Sequence, residues 1–176
     1  MIQLQLFRMS LLKIKTILAL SSVVFLNSSF AQISNEEQEQ VNSIQNDFFI
    51  SYCELLGNRV AELGLMRSEG KSMANASRLA IEYYRTDKEK YFDFFFDSMI
   101  AAGSGSTQLD ESVKLTLRNH PSITGAWNAF SSQYLFETVN PYLLYLSLVW
   151  KDSTYRLGYN SIRDATFQSC FEKFKP

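Results

Sequence analysis

The chain has 176 residues, 46% of them hydrophobic and 20% charged. That balance suits one ordinary globular domain and excludes an intrinsically disordered chain. Eighteen acidic against seventeen basic residues leave a formal charge of −1, without the basic footprint of a nucleic-acid-binding domain.

The first stretch reads as an address. Met9–Lys15 carries Lys13 and Lys15 and no acid, Ile17–Leu26 is an apolar run, and Ser29-Phe30-Ala31 sets small residues at the −3 and −1 positions of a cleavage site. This is the pattern of a secretory signal peptide over residues 1–31, with an apolar core too short to span a bilayer. No cysteine follows the cleavage site as it would in a lipoprotein. Residues 32–176 then form a single helical domain. Arg8, Lys13 and Lys15 leave with the signal, so the remaining 145 residues carry a formal charge of −4. That charge gives no electrostatic footprint for nucleic acid and does not attract the chain to an anionic membrane surface. The expected location is exported, periplasmic or secreted, with no transmembrane span after cleavage.

Ser34 and Glu37 have the spacing of a capping box. From there Val41, Ile44, Phe48, Tyr52, Leu55, Leu56, Val60 and Leu63 recur at three- and four-residue steps, the apolar face of a helix over about residues 36–65. Gly57 in its middle costs about 1 kcal/mol against alanine, which marks a close approach of another helix. Arg67–Lys71 forms a turn, and Ser72 caps a second helix to residue 84 or 85 with Met73, Ala76, Leu79 and Ala80 inward. Thr86 and Glu89 repeat the capping-box spacing and open a third helix from Asp87 to Ala102. Gly103-Ser104-Gly105-Ser106 breaks it.

A short helix follows over about 109–118, with Asp110 and Glu111 in its first turn, where the helix dipole favours acids. His120-Pro121 ends it. The next helical pattern covers about 122–138, with Trp127, Phe130, Tyr134 and Leu135 on one side. Asn140-Pro141 starts another helix, since proline fits the first helical position, and Tyr142–Trp150 is apolar enough for the centre of a bundle. A last helix, capped by Asn160 or Ser161, runs to Phe174 and brings Ile162, Ala165, Phe167, Cys170, Phe171 and Phe174 inward. No sustained strand alternation is present. The fold class is all-α, a single compact bundle of about five to seven helices.

Cys53 and Cys170 are the only cysteines. In an oxidising compartment a lone pair becomes one structural disulfide, here tying the first helix to the last. Its loop spans 117 positions, for which chain entropy gives an upper bound of roughly 4–5 kcal/mol. No Cys-x-x-Cys spacing indicates redox chemistry.

The chemistry-bearing residues are sparse. Gly70-Lys71-Ser72 matches the end of a phosphate-binding P-loop, but Leu65 stands where the motif needs its first glycine and a helix precedes it. His120 is the only histidine and sits at a helix end, a capping position. One histidine and two bridged cysteines provide no zinc site, and no EF-hand spacing or cofactor-binding pattern is present. Asp93 and Asp97 lie four apart and share a helix face, either as its wet edge or as a glycosidase-type carboxylate pair. The Arg67, Gly70, Lys71, Ser72 turn, two cations on a glycine-bent connection leading into a helix, is the candidate site for an anion or a partner.

The segment Cys53-Glu54-Leu55-Leu56-Gly57, then Val60-Ala61, then Arg67, Gly70 and Ser72, with Leu146–Trp150 and Cys170 later, resembles a pattern in small, uncharacterised exported helical proteins of Gram-negative bacteria. It covers about forty residues, and this chain departs from it at Trp150 and Glu69. The resemblance implies a helical fold, export and the disulfide, and no activity. The resulting expectation is a non-enzymatic binding protein of the bacterial cell envelope, its partner an envelope protein or a small apolar ligand. The alternatives are a small envelope hydrolase using carboxylates, or a carrier of apolar ligands using the aromatic helix Tyr91–Ile100.

Overall fold

The computed structural model describes residues 35–104, 109–134, 136, 139–151 and 154–174. Within them lie six α-helices: α1 Asn35–Ser68, α2 Met73–Ser104, α3 Glu111–Arg118, α4 Pro121–Gln133, α5 Pro141–Val149 and α6 Tyr159–Phe174. A short 3₁₀ turn, Thr154–Leu157, precedes α6, and there is no strand among the described residues. The expected all-α fold is observed. So is its disulfide, Cys53 of α1 to Cys170 of α6. The expected signal segment, the Ser34–Glu37 capping pair and the Gly105-Ser106 half of the expected Gly103–Ser106 break lie outside what is described, while Gly103 and Ser104, expected to break the helix after Ala102, are still helical.

Several helix boundaries differ from expectation; α6, for one, starts at Tyr159, so Asn160 and Ser161 lie inside it and do not cap it. Residues 73–104 form one helix rather than two. The Thr86 hydroxyl, read as a cap, bonds back to the carbonyls of Glu82 and Tyr83 at 3.1 and 3.2 Å. A mid-helix threonine can satisfy itself in that way without ending the helix. Asp87 consequently lies mid-helix, and it is fully buried.

The caps elsewhere follow sequence chemistry. The Asp110 carboxylate accepts from the Ser112 N–H at 2.8 Å, and His120 Nδ1 accepts from the Ser122 N–H at 3.2 Å ahead of Pro121. Helix α4 stops at Gln133, short of the expected 138. The Phe136 carbonyl instead accepts from the Tyr84 hydroxyl at 2.8 Å.

The chain divides into two compact units, each made from two separated stretches. The first takes residues up to Phe48 and Phe92–Leu135. Its core is aromatic: Phe48 meets Phe130 edge-on with ring centres 4.8 Å apart, and Phe95 lies 5.6 Å from Trp127 and 5.1 Å from Phe130. Val41, Ile44, Met99, Ile100, Leu117 and Ile123 complete it. Of the Phe94-Phe95-Phe96 run, Phe95 and Phe96 are buried and Phe94 is half-buried.

The second unit takes Phe49–Tyr91 and Phe136–Pro176. It holds the disulfide and a core of Tyr52, Leu56, Val60, Leu63, Tyr91, Tyr142, Leu146 and Ile162. Gly57 marks the helix crossing expected from the sequence: a Cβ there would stand 2.9 Å from the Arg163 backbone oxygen of α6. Ala165, expected inward, is exposed, while Phe167, Phe171 and Phe174 are half-buried. Phe174 stacks on Phe49 with ring centres 4.4 Å apart. Met73, also expected inward, is 45% exposed, because it is the first residue after the Ser72 cap and overhangs the helix end.

Candidate functional site

Helix α5 is short, and its placement in the second unit is fixed at three points. At its start the Asn140 side-chain oxygen accepts from the N–H groups of Tyr142 and Leu143 at 3.0 and 3.3 Å, while its amide donates to the Ala80 carbonyl at 3.3 Å. Proline at the first helical position completes a strong start. At its end Val149 lies against Gly64, where a Cβ would be 2.9 Å from Val149 Cγ1. The Arg67 guanidinium lies 5.8 Å from the centre of the Trp150 ring.

The third point is a buried polar network. Asp87 has no exposed surface and receives four hydrogen bonds. Arg59 donates through Nε at 2.9 Å and Nη2 at 3.3 Å, Lys90 through Nζ at 2.6 Å, and the Tyr142 hydroxyl at 3.1 Å. Tyr91 donates in turn to the Tyr142 hydroxyl at 3.0 Å. Arg59 also lies 4.1 Å over the Tyr83 ring and pairs with Glu62 at 3.2 Å, and the Tyr83 hydroxyl donates to the same Glu62 oxygen. The network is fully partnered, the condition under which a buried charge is tolerated.

Its electrostatics are those of a clamp. Burial pushes the Asp87 carboxyl upward, but the hydrogen bonds and charges of Arg59 and Lys90 outweigh it and hold the group below the usual carboxylate value. The hydrogen bond to Asp87 raises the Arg59 guanidinium further. Burial raises Tyr91 and Tyr142 well above the ordinary phenol value, and burial with the Glu62 hydrogen bond brings Tyr83 to about 12. These five groups are each shifted away from the neutral range, which suits a network that positions helices.

Pinned in this way, α5 buries Tyr142, Leu146 and Val149 and turns its other face outward. Leu143, Leu144 and Leu148 are 37%, 56% and 54% exposed. This corrects the reading of Tyr142–Trp150 as a helix buried on all sides. Leu157, in the 3₁₀ turn that packs on α5 and α6, is 57% exposed.

The turn singled out from the sequence lies at the C-terminal end of this leucine face, since Arg67 covers Trp150. Its backbone is a Schellman motif: the Lys71 N–H reaches the Met66 carbonyl at 2.9 Å and the Gly70 N–H reaches the Arg67 carbonyl at 3.0 Å, with Gly70 at φ 75°. The Ser72 hydroxyl caps α2 by accepting from the Asn75 N–H at 3.3 Å. Lys71, Lys151 and Arg156 are exposed.

In the first unit Asp93 and Asp97 do share a cleft, which Glu111, Lys114 and Arg118 also line. Arg118 pairs with Asp93, and Lys114 with Glu111 at 3.0 Å. Burial, then the Asp93 charge, raises the Asp97 carboxyl. His120 serves as the cap of α4. Among the described residues no three His, Cys, Asp or Glu side chains gather as metal ligands would.

Sequence reasoning missed the Arg59–Asp87–Tyr142 clamp. The available signal was periodic: Ala76, Ala80, Asp87, Tyr91 and Phe95 form one inward stripe, and a lone acid on an apolar stripe requires a cation facing it. The false helix start at Thr86 hid the stripe.

Compared with protein-family models, curated proteins and solved structures, the chain finds no match in any of the three.

Proposed function

We propose that this chain is an exported, non-enzymatic binding protein of the bacterial cell envelope, periplasmic or secreted, that acts through the outward face of α5. One observation carries the reading: Leu143, Leu144 and Leu148 are held in solvent by a helix whose inner face is fixed through Tyr142, Val149 and Asn140. Holding large apolar side chains in water is unfavourable by about 25 cal/mol per Å² of exposed apolar surface, and contiguous exposed apolar patches mark interaction sites. The disulfide and the Ile17–Leu26 run support export.

Photo-crosslinking in cells tests the reading. A photoreactive residue replaces Leu144 or, as control, Leu115, which is 62% exposed in the first unit. Discrete adducts from position 144 and none from 115 are expected. Equal labelling at both positions, or none at either, would overturn it.

A carboxylate hydrolase is the second reading, favoured by the raised Asp97 carboxyl beside Asp93. Turnover of an envelope polysaccharide that Asp97→Asn abolishes would bring it forward.

A further inference from the structure

We infer that the α5 corner of the second unit docks on the surface of an anionic phospholipid bilayer, an inference that rests on the binding reading above and names its partner. The outward leucines are not spread over the unit at random. Leu143, Leu144 and Leu148 stand on one helix face, and Leu157 follows in the packed 3₁₀ turn. Where that face ends, Trp150 is half-buried and Lys151 is exposed. Apolar tips bordered by an indole and a lysine are the composition of a helix lying at a membrane interface, where the ring sits at headgroup depth and the ammonium reaches outward.

Charge selects the occupant. The mature chain is acidic overall, yet the two sequence segments 67–71 and 150–156 reverse that sign, with Arg67, Lys71, Lys151 and Arg156 against two acids, Glu69 and Asp152. Arg67 is placed there by Trp150, and the Schellman turn sets Lys71 directly after it. An apolar face with a cationic border complements acyl chains beneath anionic headgroups. No described helix is long and apolar enough to cross a membrane, so the contact lies on the surface. The buried clamp keeps the leucines outward before contact, so docking needs no rearrangement of the unit.

Co-sedimentation of the disulfide-bonded mature protein with vesicles tests this. Binding to phosphatidylglycerol–phosphatidylcholine vesicles is expected at low salt, with pure phosphatidylcholine binding far less and roughly half-molar salt weakening the anionic case. Leu144→Ser/Leu148→Ser is expected to weaken partitioning about tenfold or more, and Lys151→Gln/Arg156→Gln about fivefold per cation. Leu115→Ser in the first unit leaves binding unchanged. Thermal midpoints equal to wild type certify that the variants are folded. Absence of vesicle binding by the folded wild type overturns the inference, as does binding that ignores both lipid charge and the leucine substitutions. A position-144 adduct with a protein or with a second copy of the chain, alongside no vesicle binding, overturns the lipid assignment while the binding reading survives. No adduct and no vesicle binding overturns both.

Discussion

Replacing Asp87 by asparagine removes the charge at the centre of the clamp while nearly preserving volume. The amide keeps one acceptor oxygen but turns an NH2 group toward donors that now lie at 2.6–3.3 Å from carboxylate oxygens. Breaking a buried charge pair by removing one partner costs about 3–5 kcal/mol. The Arg59 and Lys90 side chains are 23% and 44% exposed, so both regain some hydration. That puts the expected loss at the lower end, about 3 kcal/mol, or a thermal midpoint lower by about 10 °C for a domain of this size. The pH dependence has a definite sign. Because the folded carboxyl sits below its ordinary value, its stabilising contribution is complete above the unfolded carboxylate value and declines as pH falls through the folded one. The gap between wild type and variant should therefore narrow in acid. Urea unfolding of the disulfide-intact proteins, followed by circular dichroism at neutral and acid pH, measures both quantities. A further comparison uses Arg59→Met/Asp87→Leu, which replaces both ends by apolar groups and should cost less than the summed single changes. A neutral-pH loss below about 1 kcal/mol, the level of a surface ion pair, would refute the clamp.

Gly57→Ala sets its Cβ 2.9 Å from a backbone oxygen of α6, whereas Gly64→Ala meets only side-chain ends, Ile162 Cδ1 and Val149 Cγ1. Despite alanine's helix preference of about 1 kcal/mol, Gly57→Ala is expected to be net destabilising and worse than Gly64→Ala; the reverse order in a thermal melt would contradict the packing argument. The folded Asp97 carboxyl lies above its ordinary value, so ionising it opposes folding at neutral pH and that opposition vanishes as pH falls through the raised value. Asp97→Asn should accordingly melt at or above the wild-type temperature at neutral pH, and a lower midpoint would show that the charge has a stabilising partner. Burial keeps Tyr52, Tyr91 and Tyr142 protonated in the fold; spectrophotometric titration should show them ionising together with alkaline unfolding, because their stabilising contribution is present below the unfolded phenol value and is lost above it. Smooth ionisation of all nine tyrosines before any loss of helicity would argue against their burial.

Much of the helical pattern was legible because periodicity and caps speak locally. Ser72 and Asn140 begin helices as their side-chain chemistry dictates, whereas Asp110, expected in a first turn, and His120, expected at a helix end, each cap the helix that follows; the three- and four-residue steps of α1 marked most of Val41 to Leu63 as core. The errors share one cause, which is that a local signal has more than one solution. Thr86 can cap a helix or bond back within it, and only the tertiary demand for a partner to Arg59 decides. Likewise, an apolar helix such as α5 fits the centre of a bundle or one wall with a face to spare. Its hydropathy cannot distinguish the two, since Leu144 and Leu146 are the same residue type on opposite faces, one 56% and the other 1% exposed. The candidate site suffers most from this degeneracy. The turn at Arg67–Ser72 was visible, but its place at the end of α5 depends on the long-range contact with Trp150.

The interleaving of the two units imposes an order on their assembly as the chain is made. The second stretch of the first unit, Phe92–Leu135, lies wholly between the two stretches of the second. A chain emerging from its N-terminus can therefore complete the first unit once Leu135 is out, while Phe49–Tyr91, with Cys53, Arg59 and Asp87, still waits for Tyr142 and Cys170. Throughout that interval the Cys53 thiol has no native partner, because that partner follows 117 residues later. Early capture of Cys53 by exchange, its thiolate attacking the disulfide of another molecule and releasing that molecule's second sulfur as a thiol, would thus trap a species with one unit built and the other half made.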